Sequence, residues 1–357
     1  MPRPEDRKLT PRENYLRLLT GQMPEWVPIY TMGAPLPDGE DIPIALVTPA
    51  VLHDPHGTTI GSGMKGELVP VKDCWGVSWV GSYETGGALL PEPGNFMLED
   101  IEDWHDVVHA PDISDVDWES MCRKTMDALA FDPTQTAAGL NLYVGTFQEY
   151  VGMMGFTEGL VAMIEEPEEA AALCKYINDF YIEVGRKCMP YMDIDALVLM
   201  DDSASARAPF MGEDLFRQVL LPCYRDMYEQ LAEPYGIPVQ FHNCGACANY
   251  IEICHDEAGV TAWDPAQTMN DLVGFKEKWG REIALMGGYD AKGELLEPDC
   301  PDELIVESVH ESYDLLAPEG GYAFSAGFVG PADDPKTAHK NQVLMRAAQE
   351  YGNTFYD

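Results

Sequence analysis

The sequence predicts an α/β fold, a (β/α)8 TIM barrel with an irregular N-terminal elaboration, and three observations predict it. Seven short apolar runs recur along the chain, spaced by polar turns and by stretches of helical periodicity. Most of the runs are apolar at nearly every position, as strands buried on both faces must be. The chain has 357 residues and is 46% hydrophobic, enough for one large barrel core.

The apolar runs are residues 27–30, 140–146, 196–200, 238–241, 260–263, 283–286 and 321–325. Helical patterns lie between them. Residues 166–189 place Ala170, Leu173, Ile177, Tyr181 and Val184 at helical spacing, and 212–232, 302–316 and 336–351 follow. Strands alternating with helices of this length imply parallel strands joined by right-handed crossovers. Seven runs favour a closed barrel with one strand missed or irregular. An open doubly wound sheet is the alternative, and no Gly-x-Gly-x-x-Gly sequence follows any of the runs. Residues 35–115 fit the alternation poorly, with Gly57, Gly61, Gly63, Gly66, Gly86, Gly87 and Gly94 scattered among Pro and Trp. They are read as an elaboration that caps the barrel, so the expected organisation is one domain over 1–357 with an irregular extension to about residue 115.

Charge excludes several partner classes. Sixty-one acidic residues against 22 basic ones give a formal charge of −39. Nucleic acid and anionic membrane surfaces both require clustered Lys and Arg, which are missing. The charge itself reads as a solubility device whose field also repels anionic substrates. No run of about 18 apolar residues suggests a membrane span, and residues 1–10 lack the apolar stretch of a secretory signal. The expected location is therefore cytoplasmic. Nine cysteines are then expected as reduced thiols. A Cys-rich chain with 18 Met suits low-oxygen metabolism.

Barrel enzymes place their chemistry at the carboxyl ends of the strands. The residues that follow the runs are Glu149, Tyr150, Asp201, Asp202, His242, Cys244, Asp264, Tyr289 and Asp290. The fold converges these separated groups on one face. His242 and Cys244 are two residues apart on an extended segment, so their side chains point the same way. Imidazole and thiolate are zinc ligands, at about 2.0–2.1 Å and 2.3 Å. Cys247, at the start of the next helix, is the expected third ligand, its thiolate favoured by the helix N-terminus. Asp202, Asp290 and Glu149 are the candidate catalytic carboxyl groups. Trp263, Tyr289 and Asp201 are candidate substrate contacts. Each has a structural alternative: Asp201 and Asp202 as helix caps, Trp263 and Tyr289 as core. Cys254 and His255, inside a helix, read as structural.

The segment 238–247, Pro-Val-Gln-Phe-His-Asn-Cys-Gly-Ala-Cys, resembles the strand-then-His-x-Cys-Gly segment of the uroporphyrinogen decarboxylase superfamily, in particular its cobalamin-dependent methyltransferase branch. Supporting matches are Ala-Leu-Val-Leu-Met-Asp-Asp at 196–202 and Leu-Phe-Arg-Gln-Val-Leu-Leu-Pro-Cys-Tyr at 215–224. Further on come Ile-Ala-Leu-Met-Gly-Gly-Tyr-Asp at 283–290 and Gly-Gly-Tyr-Ala-Phe-Ser-Ala-Gly at 320–327, with Asp334-Pro335 after it. The resemblance implies a (β/α)8 barrel, Zn2+, and methyl transfer to or from the cobalt of a corrinoid carried by a small partner protein. The decarboxylase proper is a poor match, because its Arg-rich N-terminal segment has no counterpart near 26–32. The methyltransferase branch also supplies a second zinc thiolate after the last strand, where this sequence has Phe328. Further ligands must then come from Cys247 or from carboxylates such as Glu149, Asp201, Asp202 or Asp290. Oxygen in place of sulfur makes a harder Lewis acid, suited to polarising an ether or hydroxyl oxygen. The expected reaction is therefore demethylation of a small O-methyl compound, such as an aryl methyl ether, or of an N-methyl compound, with the methyl passed to the corrinoid protein. The alternatives are a methylcorrinoid:thiol methyltransferase of the coenzyme M type, a metal-free decarboxylase, and a non-catalytic barrel that binds a corrinoid protein.

Overall fold

The computed structural model describes residues 7–32, 34, 36, 42–52, 69–81, 89–142, 145–330 and 334–357. Seven parallel strands form one curled sheet: β1 (Ile44–Val47), β5 (Ala137–Leu140), β6 (Ala196–Met200), β7 (Val239–His242), β8 (Val260–Ala266), β9 (Ala284–Gly287) and β10 (Tyr322–Ala323). Their spatial order follows their chain order. Beyond β10, Ile29 makes a parallel bridge to Phe324, with Tyr30 N donating to Phe324 O and Phe324 N to Pro28 O. The segment 28–30 thus takes the eighth position of a (β/α)8 barrel-like α/β fold. A separate antiparallel sheet, β2 (Val71–Lys72), β3 (Ser78–Gly81) and β4 (Leu89–Pro91), belongs to the N-terminal elaboration.

Three readings are corrected. The stretch 35–115 is not wholly outside the barrel, because β1 lies within it and pairs with β5 from Ile44↔Ala137 to Val47↔Leu140. Five residues pinched between Pro43 and Pro49 are too short a run to announce a strand. The run 140–146 is displaced: β5 ends at Leu140 and a helix occupies Thr146–Met154. Tyr143 and Val144, like Gly57, Gly61, Gly63, Gly66, Gly86 and Gly87, lie outside the described residues. The helical stretch 212–232 divides into Glu213–Val219 and Leu221–Met227, since Pro222 brings no amide hydrogen to continue the ladder.

Inside the barrel, Ala137, Ala196, Ala262, Ala284 and Ala323, one small residue from each of five strands, belong to one cluster with Tyr15, Leu18 and Leu19. Those three belong to the helix Pro11–Leu19, started by a Thr10–Glu13 capping box with Pro at its first turn. The helix sits at the amino end of the sheet: Arg12 N donates to Gln135 O just before β5, and Arg12 Nε donates to Asp195 just before β6 at 3.1 Å. Alanine at these positions leaves room for the helix to plug the barrel. The same cluster holds Tyr30, Val198 and Met286, with Gln240 beside Val198, and the carboxyl ends of β6, β7 and β8 carry Met200, His242 and Asp264. Those three are neighbours by register, Met200↔His242 and His242↔Asp264. The carboxyl-end mouth is where polar groups replace apolar ones. Among the described residues no helix is long and apolar enough to cross a membrane.

Candidate metal centre

Alternation along β7 turns Gln240 and His242 inward and Phe241 outward, where its ring meets Tyr224 at 5.0 Å. His242 Nδ1 lies 2.7 Å from Asp264 Oδ2. The other oxygen, Asp264 Oδ1, accepts from Gln240 Nε2 at 2.6 Å, and Gln240 Oε1 accepts from Tyr15 Oη at 2.8 Å. Every member of this chain except His242 is essentially buried. A carboxylate facing Nδ1 fixes the proton there and leaves the Nε2 lone pair free to bind a metal. Nε2 faces Cys244 Sγ at 3.6 Å and Asp202 Oδ1 at 3.8 Å.

Asp202 arrives from a different strand, and the backbone places it. Cys244 N donates to Asp202 Oδ1 at 2.8 Å. Next to it, Asn243 Nδ2 donates to Ser203 Oγ at 2.9 Å, and Ala246 N donates to Ser205 O at 2.8 Å. The loops after β6 and β7 are thereby zipped together. Gly245 makes the close approach possible: its φ is +98°, and a Cβ there would stand 2.6 Å from Ala204 O. Its amide donates to Gln267 Oε1 at 2.7 Å, which ties the loop after β8 to the same turn.

The donor atoms of Asp202, His242 and Cys244 all lie within 4.8 Å of one another, the one such group of three among the described residues. His242 is 12% exposed and Asp202 36%, so the group opens toward solvent from a buried base. Burial opposes a charge on His242, but the Asp264 carboxylate outweighs it and holds the ring pKa above its ordinary value. Burial likewise pushes the Cys244 thiol up, with His242 offsetting it in part. Nitrogen, sulfur and oxygen donors converging on one point, with the imidazole held from behind by a carboxylate, form a donor set that fits zinc.

The other residues singled out from sequence lie elsewhere. Cys247 is not brought to the group: its Sγ donates to Asn243 O at 3.2 Å, and burial raises its pKa despite its place at a helix start. Glu149 points between helices, accepting from Tyr181 Oη at 3.0 Å. Asp290 pairs with Lys292 at 2.5 Å in a groove lined by Leu272, Glu307 and Leu316. Tyr289 bonds Ser308 Oγ at 2.9 Å and meets the Phe328 ring edge-on at 6.0 Å. Trp263 is fully buried, its indole donating to Asn243 O at 2.9 Å; it buttresses the turn from outside the barrel. These placements depart from the catalytic and substrate-contact roles expected of them. Asp264 stood among the strand-end residues without a role, and the structure places it between His242 and Gln240. A Gln240-x-His242 alternation in an otherwise apolar strand was the available signal for the chain beneath it.

Asp201 caps a helix, though it is Thr146–Met154, after β5, and not the next one in the chain. Its carboxylate accepts from Phe147 N at 2.9 Å, Gln148 N at 3.2 Å and Tyr224 Oη at 2.7 Å. Asp201→Ala is expected to cost about 1–3 kcal/mol, read from the urea midpoint. Burial pushes this carboxyl up to about 7, above its unfolded value, so its protonated form stabilises the fold and that contribution is lost as pH rises through 7. Wild-type stability should therefore fall between pH 5 and pH 8 relative to Asp201→Asn. Parallel pH profiles for the two proteins would refute the assignment.

Residues 142–351 match the model of the family described as uroporphyrinogen decarboxylase (URO-D). Among solved structures, a methyltransferase from Methanosarcina mazei aligns over 96% of this chain and 99% of its own, with 14% identity and a TM-score of 0.55. A B12-independent methionine synthase from Shewanella sp. W3-18-1, in complex with selenomethionine, aligns over 80% of this chain and 74% of its own, with 9% identity and a TM-score of 0.41. The first likeness is one of fold, and the second is too weak to argue from. No curated protein matches the sequence.

Proposed function

This chain belongs to the uroporphyrinogen decarboxylase family, and from that premise we propose that it is a corrinoid-dependent methyltransferase. It takes a methyl group from a small O-methyl donor, such as an aryl methyl ether, or from an N-methyl donor, and passes it to the cobalt of a corrinoid held by a partner protein. The observation that carries the reading is the Asp202–His242–Cys244 group backed by Asp264. These three residues would hold zinc, which when bound supplies a Lewis acid for the oxygen or nitrogen that gives up the methyl group. The corrinoid partner rests on the sequence resemblance.

The chain's own residues favour a neutral donor. None of the hydrogen-bond or ion-pair partners of the group among the described residues is Arg or Lys, so the site does not suit a polycarboxylate ring. Phe328, where the methyltransferase branch has a second thiolate, instead holds the ammonium of Lys340 at 4.1 Å from its ring centre. Asp202 supplies an oxygen in this group where a second sulfur would suit thiol activation. Asp264 fixes the imidazole through Nδ1, and the Cys244 amide fixes Asp202, so the donors are oriented before substrate arrives. Of the three carboxyl groups expected to move protons, Asp202 is the one beside His242, and with zinc bound it would serve as a carboxylate ligand rather than as a proton donor.

The test is incubation with a Co(I) corrinoid protein and a panel of methoxyaromatic and N-methyl compounds, followed at the methyl-cobalt absorption. A donor-dependent methyl-cobalt band is expected. No band with any donor, or thiol-dependent loss of methyl-cobalt instead, would overturn the direction of transfer proposed.

A further inference from the structure

The helix Phe156–Glu165 leaves an apolar stripe uncovered. Its buried residues are Gly159, Ala162 and Met163. Phe156, Leu160 and Ile164, four residues apart, run along another side of it with Val161 next to them. Phe156 is 45% exposed and Ile164 69%, so the helix is apolar outside as well as inside. The stripe continues toward the candidate metal centre. The Phe156 ring meets Phe210 at 4.7 Å and Phe147 at 6.1 Å, and Phe147 stacks on Phe210 at 5.8 Å. Phe210 N donates to Ser203 O at 3.0 Å, on the loop that carries Asp202, and the Phe147 amide is held by Asp201. Phe96 extends the surface by lying against Gly155, where a Cβ would stand 2.8 Å from its ring.

Contiguous exposed apolar surface beside a reaction centre marks a contact site, and the charges around it say what kind. Glu158 and Glu165 stand on the same helix, Glu166 and Glu168 follow it, and all four are exposed. Residues 89–122 and 125–174 contain no Lys or Arg; the loop of Phe210 adds a single cation, Arg207. A second copy of the chain would bring the same carboxylates face to face, and like charges across an interface repel. A partner whose apolar contact is ringed by Lys and Arg meets no such penalty. It covers the stripe at the centre and pairs with the carboxylates at the rim.

We propose that this surface is where the corrinoid-bearing partner docks, and that the partner presents to it an apolar contact bordered by Lys and Arg. Docking here seats the partner beside the loop of Asp202, at the carboxyl-end mouth. The inference rests on the methyl-transfer reading above, and two acceptors separate them. Initial rates of methyl-cobalt formation are measured with a Co(I) corrinoid protein and with free Co(I) cobalamin, for wild type, Val161→Ser/Ile164→Ser and Glu158→Lys/Glu165→Lys. All four substituted positions are exposed. Each double variant is expected to raise KM for the corrinoid protein about tenfold, as loss of an interface anchor does, with its rate on free cobalamin unchanged. Wild-type KM for the corrinoid protein should also rise with NaCl concentration, because rim charges are screened. Unchanged KM in either double variant, or wild-type transfer to free cobalamin alone, would overturn the docking site and leave methyl transfer standing. An equal loss of rate on both acceptors would overturn it too, by showing that the variants act on the reaction centre. So would a wild-type dimer in sedimentation velocity that Val161→Ser/Ile164→Ser splits, since a second copy would then cover the stripe. Wild-type protein that methylates neither acceptor would bring down both readings.

Discussion

Cys244→Ala and His242→Ala proteins will take up zinc at least about a hundredfold more weakly than wild type, and Asp202→Ala will be weakened in the same direction. Structural zinc sites with four ligands hold the ion by roughly 10–16 kcal/mol, about 3 kcal/mol per ligand, and each 1.4 kcal/mol is a factor of ten. The donor atoms of the three residues stand within 4.8 Å of one another, so each variant removes one donor and leaves the other two in place. Elemental analysis of purified protein, followed by chelator competition, reads the effect. Cys247→Ala and Glu149→Gln serve as the contrast, since Cys247 bonds Asn243 O and Glu149 bonds Tyr181. Zinc content that survives in Cys244→Ala, or that disappears in Cys247→Ala, would show the wrong thiol to have been chosen.

That contrast marks where sequence stopped being informative. The barrel was legible because strands buried on both faces write themselves as apolar runs, and β6, β7 and β8 lie close to where those runs predict. The helix Pro11–Leu19 was not legible as a plug, since the alanines that make room for it are separated by up to 186 residues, from Ala137 to Ala323. At the site, the spacing of His242 and Cys244 was readable from extended geometry alone. Asp202 was one of four carboxylates offered as a further ligand and could not be singled out, because a bond between the loops after β6 and β7 leaves no local trace.

Parity would have sorted more of the candidates. Val198 and Met200 face the barrel axis, so the alternation carries Asp202 inward and turns Asp201 out toward Tyr224 and the Phe147 amide. Ala262 faces inward, so Asp264 does as well, and Trp263 faces the helices beside Phe275. The same period of two that identifies a strand thus separates the groups that reach the mouth from those that brace it. Glu149 escapes this rule because it lies on a helix.

Asp264→Ala should lower zinc affinity by about 10–100-fold although Asp264 is not among the three donors. The carboxylate acts on two buried groups at once, His242 Nδ1 at 2.7 Å and Gln240 Nε2 at 2.6 Å. Alanine strands both, so the metal-free protein should also lose about 2 kcal/mol or more, at roughly 1–3 kcal/mol per buried unpaired group. Asp264→Asn separates the two effects. Its side-chain oxygen can still face Nδ1–H, and Gln240 can turn its amide to accept from the new NH2, so most of the stability should return. The negative charge that strengthens the imidazole as a donor does not return, and zinc affinity should stay below wild type. An Asn variant with wild-type affinity would reduce Asp264 to a spacer that merely aims the ring. An Ala variant with wild-type affinity would mean that His242 presents Nε2 to the mouth without help, and the buried chain from Tyr15 to His242 would then be packing alone.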